Sequence, residues 1–524
     1  MTRYESGHLG RLLKRAVLCA AFFFCAPAFA QDVTLTSDGG GLNVVGRMIG
    51  FDGENIQIES KFGPLTLRYD AVTCTGDTCP DLETYVPELR LSGARRMGDI
   101  LMPAMVEGFA WPKGFAVRFD DTDAGFVQTL MDSDQGVARF VFHVTNTDEG
   151  FADLIAHEAD IVMSVREVRT AEVDRARDAG LGRLDGARQS RIVGLDALVP
   201  VVSSMSEARH ISLADLSDAF AGETLNWSAL GGPDVPMTLH LGPQNDGQMQ
   251  RFIDDTLGVV GKPLGGNVVR HGDHDGVVRA VAADAGALGI LPFRDVGITQ
   301  SIALRDACGF ISAPRLTALK TEDYPLTAPM FLYLPSRRLP PFASEFLTWL
   351  QGPQAQLVVR RAGFVDQGAV PIPLDSQGQR FANAIAAAGE DMPLIELQRM
   401  VRALGPRVRL STSFRFEVGS TRLDAQSRSN LLSLAQAIRD GRYDTRVLLL
   451  AGFSDGRGAV SANRDLSSAR AEAVERDLLA LLGGAFPDGI SVETEAFGEA
   501  LPMGCDDTEW GRQMNRRVEL WVSQ

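Results

Sequence analysis

An aspartate and an arginine near the C-terminus have the types and the spacing to hold a ligand with two opposite charges. Asp455 follows a short apolar run, residues 447–451, which ends at Gly452 and predicts a buried strand. Arg470 lies in a stretch with apolar residues at helical spacing, and Ser467 is a suitable N-cap. We therefore expect Arg470 in the first helical turn, where free N–H groups also attract an anion. An acid and a guanidinium facing one point would bind an ammonium and a carboxylate.

Four motifs between Gly452 and Glu519 include these two residues. They are Gly452-Phe453-Ser454-Asp455; Asn463, Leu466, Ser467, Arg470 and Ala471; Ala496-Phe497-Gly498-Glu499 with Pro502; and Asn515 to Glu519. In this order they resemble the OmpA-like peptidoglycan-binding domain. The departure from that family is Phe453, which stands where the family has a histidine.

The resemblance implies a pocket for the diaminopimelate side chain of the cell-wall peptide. Asp455 would take its ammonium, and Arg470 would take its carboxylate with the planar fork of a guanidinium. The alternative is a simple surface ion pair between Asp455 and Arg470. By the same resemblance, Asn463 and one of Arg516 and Arg517 would support Asp455 and Arg470, and Glu417 is a further candidate residue of the site.

A second region, from about Leu89 to Asp366, resembles the phosphate-type periplasmic solute-binding proteins of the PstS kind. The motifs that carry this resemblance are Phe220, Gly222, Glu223, Asn226 and Trp227, then Tyr324 to Leu326, then a helical stretch at 354–363. The implied fold has two α/β lobes around a hinge, which close on a small ligand.

The expected ligand site of this region departs from the family. Asp246 stands where the family has a serine that binds phosphate, and Gly242 replaces an arginine. A carboxylate at that place repels a dianion, so phosphate is not the expected ligand. Another small anionic or polar solute remains open, as does a scaffold that docks other envelope proteins and binds no solute. The candidate solute-binding residues are Gly93, Ala94, Thr147, Arg166, Asp246, Gly247 and Gln248.

Composition narrows the remaining possibilities. The chain has 524 residues and a net charge of −16, which argues against nucleic acid as a partner. Residues 1–30 have a basic start, an apolar stretch and an Ala-x-Ala end, so they predict a secretory signal peptide. Later segments are not apolar enough to predict a membrane span. We expect an exported protein in the periplasm of a Gram-negative-type envelope, associated with the cell wall or outer membrane.

The cysteines and histidines allow limited conclusions. Cys74 and Cys79 lie close together in a turn-rich segment, and export favours a disulfide between them. Cys308 and Cys505 are free or paired, and the sequence does not decide between these. The segment 271–275 contains two histidines and two aspartates, which are more typical of a solvated turn than of a metal site. Motifs for nucleotide cofactors or for hydrolysis are absent from the sequence, so a non-enzymatic binding protein is expected.

These patterns predict an α/β and α+β multidomain protein. A two-lobed binding-protein module of type 2 is followed by a βαβαβ domain, and alternating strands predict a small β unit before both. The predicted boundaries are 1–30 for the signal peptide, 31–85 for the β unit, 86–375 for the module, 376–405 for a helical connector and 406–524 for the last domain.

Overall fold

The computed structural model describes residues 32–37, 39, 41–82, 84–186, 188–388, 392–417 and 419–523. The predicted signal peptide lies outside these residues. The chain divides into two compact units at Leu82. None of the helices in the described ranges is long and apolar enough to cross a membrane.

The first unit is the predicted small β unit. Its antiparallel strands are ordered β4-β3-β2-β1-β5, and alternate residues such as Leu35 and Ile58 are buried on one face. The predicted disulfide is confirmed, because Cys74 and Cys79 are bonded with their Cα atoms 5.8 Å apart. The strands are β1 Asp32–Ser37, β2 Asn43–Phe51, β3 Asn55–Ser60, β4 Gly63–Arg68 and β5 Val72–Thr75.

The second unit begins with an α/β module. Its elements are β6 Glu88–Ala94, α1 Met102–Ala110, β7 Ala116–Thr122, β8 Gly125–Asp132, β9 Gln135–Thr145, α2 Thr147–Ile155, β10 Ile161–Ser164, α3 Thr170–Asp178, β11 Ser190–Val202, β12 His210–Ile211, α4 Leu213–Phe220, β13 Thr238–Leu241, α5 Gly247–Thr256, β14 Val268–Arg270, α6 His274–Ala283, β15 Ala287–Pro292, β16 Gln300–Ser301, β17 Ala303–Arg305, β18 Ile311–Ser312, α7 Leu316–Lys320, β19 Thr327–Tyr333, α8 Pro341–Trp349 and α9 Pro353–Arg361.

The module has two lobes joined by two long strands. The main sheet runs β14-β13-β15-β11-β19-β10-β6-β9-β8-β7, so β11 and β19 cross from one lobe to the other. Both strands are almost entirely buried, as their continuous apolar sequences require. We call residues 88–178 with 341–361 the first lobe and residues 203–326 the second lobe. The predicted two-lobed fold class is confirmed.

The C-terminal domain has a five-stranded sheet ordered β20-β21-β24-β22-β23. Strands β22 and β23 are parallel and are linked by the long helix α13. The elements are β20 Pro371–Ile372, α10 Gly378–Ala387, α11 Leu394–Leu404, β21 Arg407–Arg415, α12 Ala425–Arg439, β22 Val447–Phe453, α13 Val460–Leu481, β23 Ser491–Ala496, α14 Glu509–Asn515 and β24 Arg517–Ser523.

The predicted connector, 376–405, contributes to the core of this domain. Helix α11 buries Met400 and Leu404 in a cluster with Leu449 of β22 and Trp521 of β24. The two helices therefore cover the face of the sheet opposite α12 and α13, and they are part of the packed domain.

The C-terminal domain packs directly against both lobes of the module. Ala425, the first residue of α12, belongs to the same apolar core as the second lobe. The backbone N–H of Ile192 in β11 donates to the Ser429 hydroxyl at 3.4 Å. A disulfide joins Cys308 of the second lobe to Cys505, with Cα atoms 5.4 Å apart. The two cysteines that the sequence left undecided thus link the module to the domain covalently.

Candidate functional site

The first candidate site lies where β22 ends. Its loop is fixed by the backbone, because the Ser454 N–H donates to the Gly498 carbonyl at 2.8 Å and the Gly456 N–H donates to Asp506 at 2.8 Å. Between them, Asp455 accepts a hydrogen bond from Arg516 at 3.1 Å. The Asp455 side chain remains 15% exposed, so a ligand reaches its carboxylate.

Arg470 is not in the first turn of its helix, as the sequence had predicted. Helix α13 begins at Val460, and Ser467 lies inside it. The Ser467 hydroxyl donates to the Arg464 carbonyl at 2.8 Å and accepts the Gly498 N–H at 3.1 Å. Ser467 therefore joins the helix to the loop after β23 and is not an N-cap. The helix N-terminus contributes no anion-binding N–H groups next to Arg470.

The guanidinium of Arg470 is buried and incompletely satisfied. The residue is 1% exposed, and its Nε and Nη1 atoms have no hydrogen-bond partner among the described residues. Its guanidinium lies over the Phe416 ring, 5.2 Å from the centroid. Burial, together with the charge of Arg516, lowers the pKa of Arg470 to about 10 against the opposing effect of Asp455. A buried cation without partners is costly, and an anionic ligand would satisfy it.

The other predicted pocket residues have different places. Arg516 lies beside Asp455, whereas Arg517 is fully buried and pairs with Glu519 at 2.8 Å. The Asn463 side-chain amide donates to Glu499 at 2.6 Å, next to the loop that carries Asp455. Of the predicted set, the structure thus brings Arg516 and Asn463 to the pocket and puts Arg517 in the core.

Glu417 lies in a separate group of charges. Its carboxylate accepts a hydrogen bond from Arg422 Nε at 2.6 Å and lies 3.6 Å from Arg428. Its neighbour Phe416 contacts Arg470 instead. The sequence analysis missed Phe416 and also Glu509, which pairs with Arg516. Phe416 could have been found as the aromatic residue directly before the candidate Glu417.

The second candidate site is the cleft between the two lobes of the module. It encloses about 300 Å³ and is lined by Thr147, Arg166, Asp246 and Gly247 among others. Thr147 begins α2, and its hydroxyl accepts the Val165 N–H at 3.3 Å. Arg166 is committed to two carboxylates, Asp148 and Glu172. The cleft therefore exists as predicted, but its polar groups are largely paired within the protein.

The expected anion position is occupied by carboxylates of the protein. Asp246 caps α5 by accepting the Gln248 N–H at 2.7 Å, so the helix N-terminus already holds a negative group. The Gln248 side chain donates to Asp196 at 3.1 Å. Gly93 and Ala94 are buried, and a Cβ at Gly93 would lie 2.2 Å from the Met163 carbonyl oxygen. The residues that line the cleft include Asp246 but not Gly93, Ala94 or Gln248.

A charge network spans the lobes at this point. Arg96 of the first lobe pairs with Asp196 at 3.1 Å and with Asp295 at 2.5 Å. His274 lies 3.0 Å from Asp246 and 2.9 Å from Asp295. Burial alone would lower the pKa of His274, but Asp246 and Asp295 outweigh it and raise the pKa to about 9. The imidazole is therefore a cation at neutral pH. We call Arg96, Asp196, Asp246, His274 and Asp295 the latch.

The absent side chain at Gly242 makes room for this network. A Cβ at Gly242 would lie 2.8 Å from the His274 ring. An arginine there would therefore collide with the histidine that takes the cationic role. His274 belongs to the segment that sequence analysis considered as a metal site. The described residues hold no cluster of three potential ligands placed for a metal ion.

Serine, histidine and aspartate also meet elsewhere in the first lobe. The Ser92 hydroxyl donates to Asp153 at 2.5 Å, and the same carboxylate oxygen lies 2.7 Å from His143 Nδ1. In a hydrolase triad the histidine lies between the other two residues and bonds each with a different nitrogen. Here Asp153 is central and Ser92 is 1% exposed, so the group joins β6, β9 and α2 without such an order.

Comparison with known proteins agrees with this division of the chain. A family model described as PBP superfamily domain matches residues 123–354, and the OmpA family model matches residues 415–516. The phosphate-binding protein PstS of Bacillus subtilis is 28% identical over 197 residues, which are 37% of this chain and 60% of the relative. Outer membrane porin F of Pseudomonas aeruginosa is 30% identical over 120 residues, which are 23% of this chain and 33% of the relative.

Two solved structures illustrate the same two regions. An ABC-type phosphate transport receptor from Vibrio cholerae has 15% identity and a TM-score of 0.42, covering 53% of this chain and 99% of that chain. The peptidoglycan-associated lipoprotein from Burkholderia pseudomallei has 30% identity and a TM-score of 0.19, covering 21% of this chain and 90% of that chain. The chain thus contains a PBP superfamily domain followed by a C-terminal domain of the OmpA family.

Proposed function

We propose that this protein binds peptidoglycan through its C-terminal domain and holds a binding-protein-like module at the cell wall. The observation that carries the proposal is the buried guanidinium of Arg470, which lacks partners among the described residues and lies near Asp455. A diaminopimelate side chain carries both an ammonium and a carboxylate. Its carboxylate would satisfy Arg470, and its ammonium would bind Asp455.

The geometry supports this two-point recognition. Asp455 accepts hydrogen bonds from Arg516 and from the Arg457 N–H, and an ionised carboxylate has lone pairs for further donors. The match of residues 415–516 to the OmpA family model supports the same assignment. On this proposal the protein is a binding protein of the periplasm.

Retention on purified sacculi tests the pocket. Asp455→Asn and Arg470→Met should each weaken binding about ten- to hundred-fold, because a hydrogen bond to a charged group contributes about 1.5–3 kcal/mol. Asp477→Asn and Arg476→Met are matched controls on α13, where Arg476 is 67% exposed. Wild-type retention by a folded pocket variant would refute the assignment.

The latch favours a second role for the module, that of a rigid scaffold. Similarity to PstS suggests a phosphate-type solute, yet Asp246 and Asp295 fill the expected anion position. Two carboxylates at that position oppose a phosphate dianion. The C-terminal domain also contacts the first lobe, where Glu167 accepts the Ala425 N–H, and the second lobe, through the disulfide of Cys308 and Cys505. These contacts oppose the opening that a transport receptor needs.

Titration calorimetry with inorganic phosphate distinguishes these roles. We expect no micromolar binding at neutral pH for the full chain. Asp246→Ser keeps a helix cap and removes the carboxylate, so it should increase phosphate affinity relative to the natural chain. Micromolar binding by the natural chain would restore the phosphate receptor role and exclude the scaffold.

A further inference from the structure

A separate cleft lies between the module and the C-terminal domain. It encloses about 480 Å³, and both parts of the second unit contribute to its wall. Tyr324 and Glu322 come from the module, whereas Asp424, Gln426 and Trp510 come from the C-terminal domain. Its wall includes Glu509, which pairs with Arg516 of the peptidoglycan pocket, and none of the latch residues.

Three of the five carboxylates that line this cleft come from different segments and lie close to Ala425 or Arg415. Glu167 follows β10 and accepts the Ala425 N–H at 3.2 Å. Asp424 caps α12 by accepting the Ser427 N–H at 2.7 Å. Glu322 follows α7 and lies 3.9 Å from Arg415. These contacts use one or two lone pairs of each carboxylate, so acceptor capacity remains.

The guanidinium groups near the cleft donate hydrogen bonds to backbone carbonyls or to carboxylates other than Glu167 and Asp424. Arg415 donates to the backbone carbonyls of Gln513 and Met514 at 3.1 and 3.0 Å. Arg251 donates to the Val165 and Thr327 carbonyls. Arg166 is held by Asp148 and Glu172, and Arg428 donates to the Leu423 carbonyl at 2.6 Å. Carboxylates outnumber guanidinium groups in the cleft wall, which holds Glu167, Asp255, Glu322, Asp424 and Glu509 against Arg166, Arg251 and Arg415.

Two of the carboxylates in the cleft have raised pKa values. Burial and then the charge of Asp424 raise the pKa of Glu167 to about 7, although the Ala425 N–H, Arg428 and Arg251 oppose the shift. Burial and Asp424 also raise the pKa of Glu322 well above its ordinary value, against the effect of Arg415. A cation placed among these groups would remove the mutual repulsion.

An independent observation also indicates a ligand here. Gln426 lines the cleft and is 3% exposed, and its Oε1 atom has no hydrogen-bond partner among the described residues. A buried acceptor without a donor destabilises the fold. Its missing partner is a donor, and an ammonium group supplies one. Trp510 adds an aromatic wall, and aromatic faces attract cations.

We propose that this cleft binds a primary ammonium group, which donates hydrogen bonds to Gln426 and to the carboxylates of Glu167 and Asp424. A primary ammonium has three donors and no acceptor, so it matches a set of acceptors from two domains. The amine has two possible sources, a free small amine or an amino group of a cell-wall peptide. The proposal does not depend on the peptidoglycan pocket.

Titration calorimetry of the full chain with cadaverine, a primary diamine, tests the site. We expect saturable binding of cadaverine and none of 1,5-pentanediol, which has the same length without charge. Glu167→Gln keeps an acceptor for the Ala425 N–H, and Gln426→Leu keeps the side-chain size, so both variants should fold. Each should weaken cadaverine binding about tenfold or more, since a charge-assisted hydrogen bond is lost. Glu472→Gln, an exposed change on α13, is the control and should bind like the natural chain.

A second titration identifies the source of the amine. In the Asp455→Asn background, a soluble disaccharide peptide with a free diaminopimelate amine is compared with the same peptide after acetylation. Binding that acetylation abolishes would assign the cleft to the cell wall, and binding of cadaverine alone would assign it to a free amine. Absence of saturable binding for both ligands, or unchanged affinity in Glu167→Gln and Gln426→Leu, would overturn the proposal.

Discussion

Arg470 lowers the stability of the free protein, and in the proposed pocket the same side chain would bind the ligand. Its guanidinium is buried and lacks partners on two nitrogens among the described residues. The folded protein bears the cost of this arrangement before any ligand arrives. A ligand carboxylate would recover that cost as affinity, so preorganisation of the pocket and local instability have the same origin.

Replacement of Arg470 by methionine should therefore stabilise the free protein. We expect Arg470→Met to raise the free energy of opening of α13 by about 1–3 kcal/mol, the cost of an unsatisfied buried group. Hydrogen exchange of α13 amides in the full chain measures this quantity. Arg476→Met, at an exposed position of the same helix, should change it by less than about 0.5 kcal/mol. Faster exchange in Arg470→Met would contradict our account of the pocket.

The sequence predicted the element that carries Asp455 better than the one that carries Arg470. The apolar run before Gly452 placed Asp455 on a loop after a strand, as observed. The start of α13 was misplaced because residues 461–465 are polar except for one alanine and give no apolar period. Those residues are held by contacts such as the one between Asn463 and Glu499, which are 36 residues apart. Such pairing is invisible to a local pattern.

At the scale of elements, the charged side chains of the latch connect the two lobes, as a bound ligand would. The sequence showed two departures, at Gly242 and Asp246, and weak phosphate binding stays a prediction from them. It did not reveal the compensation, because Arg96, Asp196 and His274 converge only after β6, β11 and α6 have packed.

The latch should make stability depend on pH in the alkaline range. The pKa of His274 is about 9 in the folded protein, above its ordinary value of 6.5, because Asp246 and Asp295 outweigh the effect of burial. A raised pKa means that the protonated imidazole stabilises the fold fully below about pH 6.5 and loses that effect as the pH rises through about 9. The loss is about 3 kcal/mol.

Thermal unfolding of the full chain between pH 7 and pH 10 measures this effect. The natural chain should lose stability across that range more steeply than His274→Gln, whose side chain does not titrate. Asp284→Asn changes a nearby carboxylate outside the latch and should preserve the natural slope. Parallel curves for the natural chain and His274→Gln would show that the imidazole is not a cation in the fold.

At the scale of the whole molecule, the second unit behaves as a cross-linked body. The C-terminal domain contacts the second lobe through Arg409 and Asp323, which are 2.9 Å apart, and through the disulfide of Cys308 and Cys505. The sequence predicted the separate domains but not the contacts and the disulfide that join them. Cysteines 197 positions apart give no local signal, and packing between domains depends on surfaces that no periodicity describes.

Removal of this disulfide should destabilise the second unit without unfolding it at room temperature. A cross-link between residues 197 positions apart restricts the unfolded chain by about 5 kcal/mol in the chain-entropy account. Calorimetry of Cys308→Ser/Cys505→Ser should show a lower transition temperature for residues 84–523. Cys74→Ser/Cys79→Ser, whose bond lies in the first unit, should leave that transition unchanged. An unaltered transition in the first variant would mean that noncovalent contacts alone hold the domain.

The covalent link has a mechanical consequence. Cys505 lies in the segment between β23 and α14. The carboxylate of Asp506, its neighbour in that segment, accepts a hydrogen bond from the Gly456 N–H of the Asp455 loop. A pull on a wall-bound pocket would therefore pass through Asp506 and the neighbouring disulfide into the second lobe, without stretching a linker. The module would keep a fixed distance from the peptidoglycan and a fixed orientation to it. A mechanical load on the wall would be transmitted directly to the module.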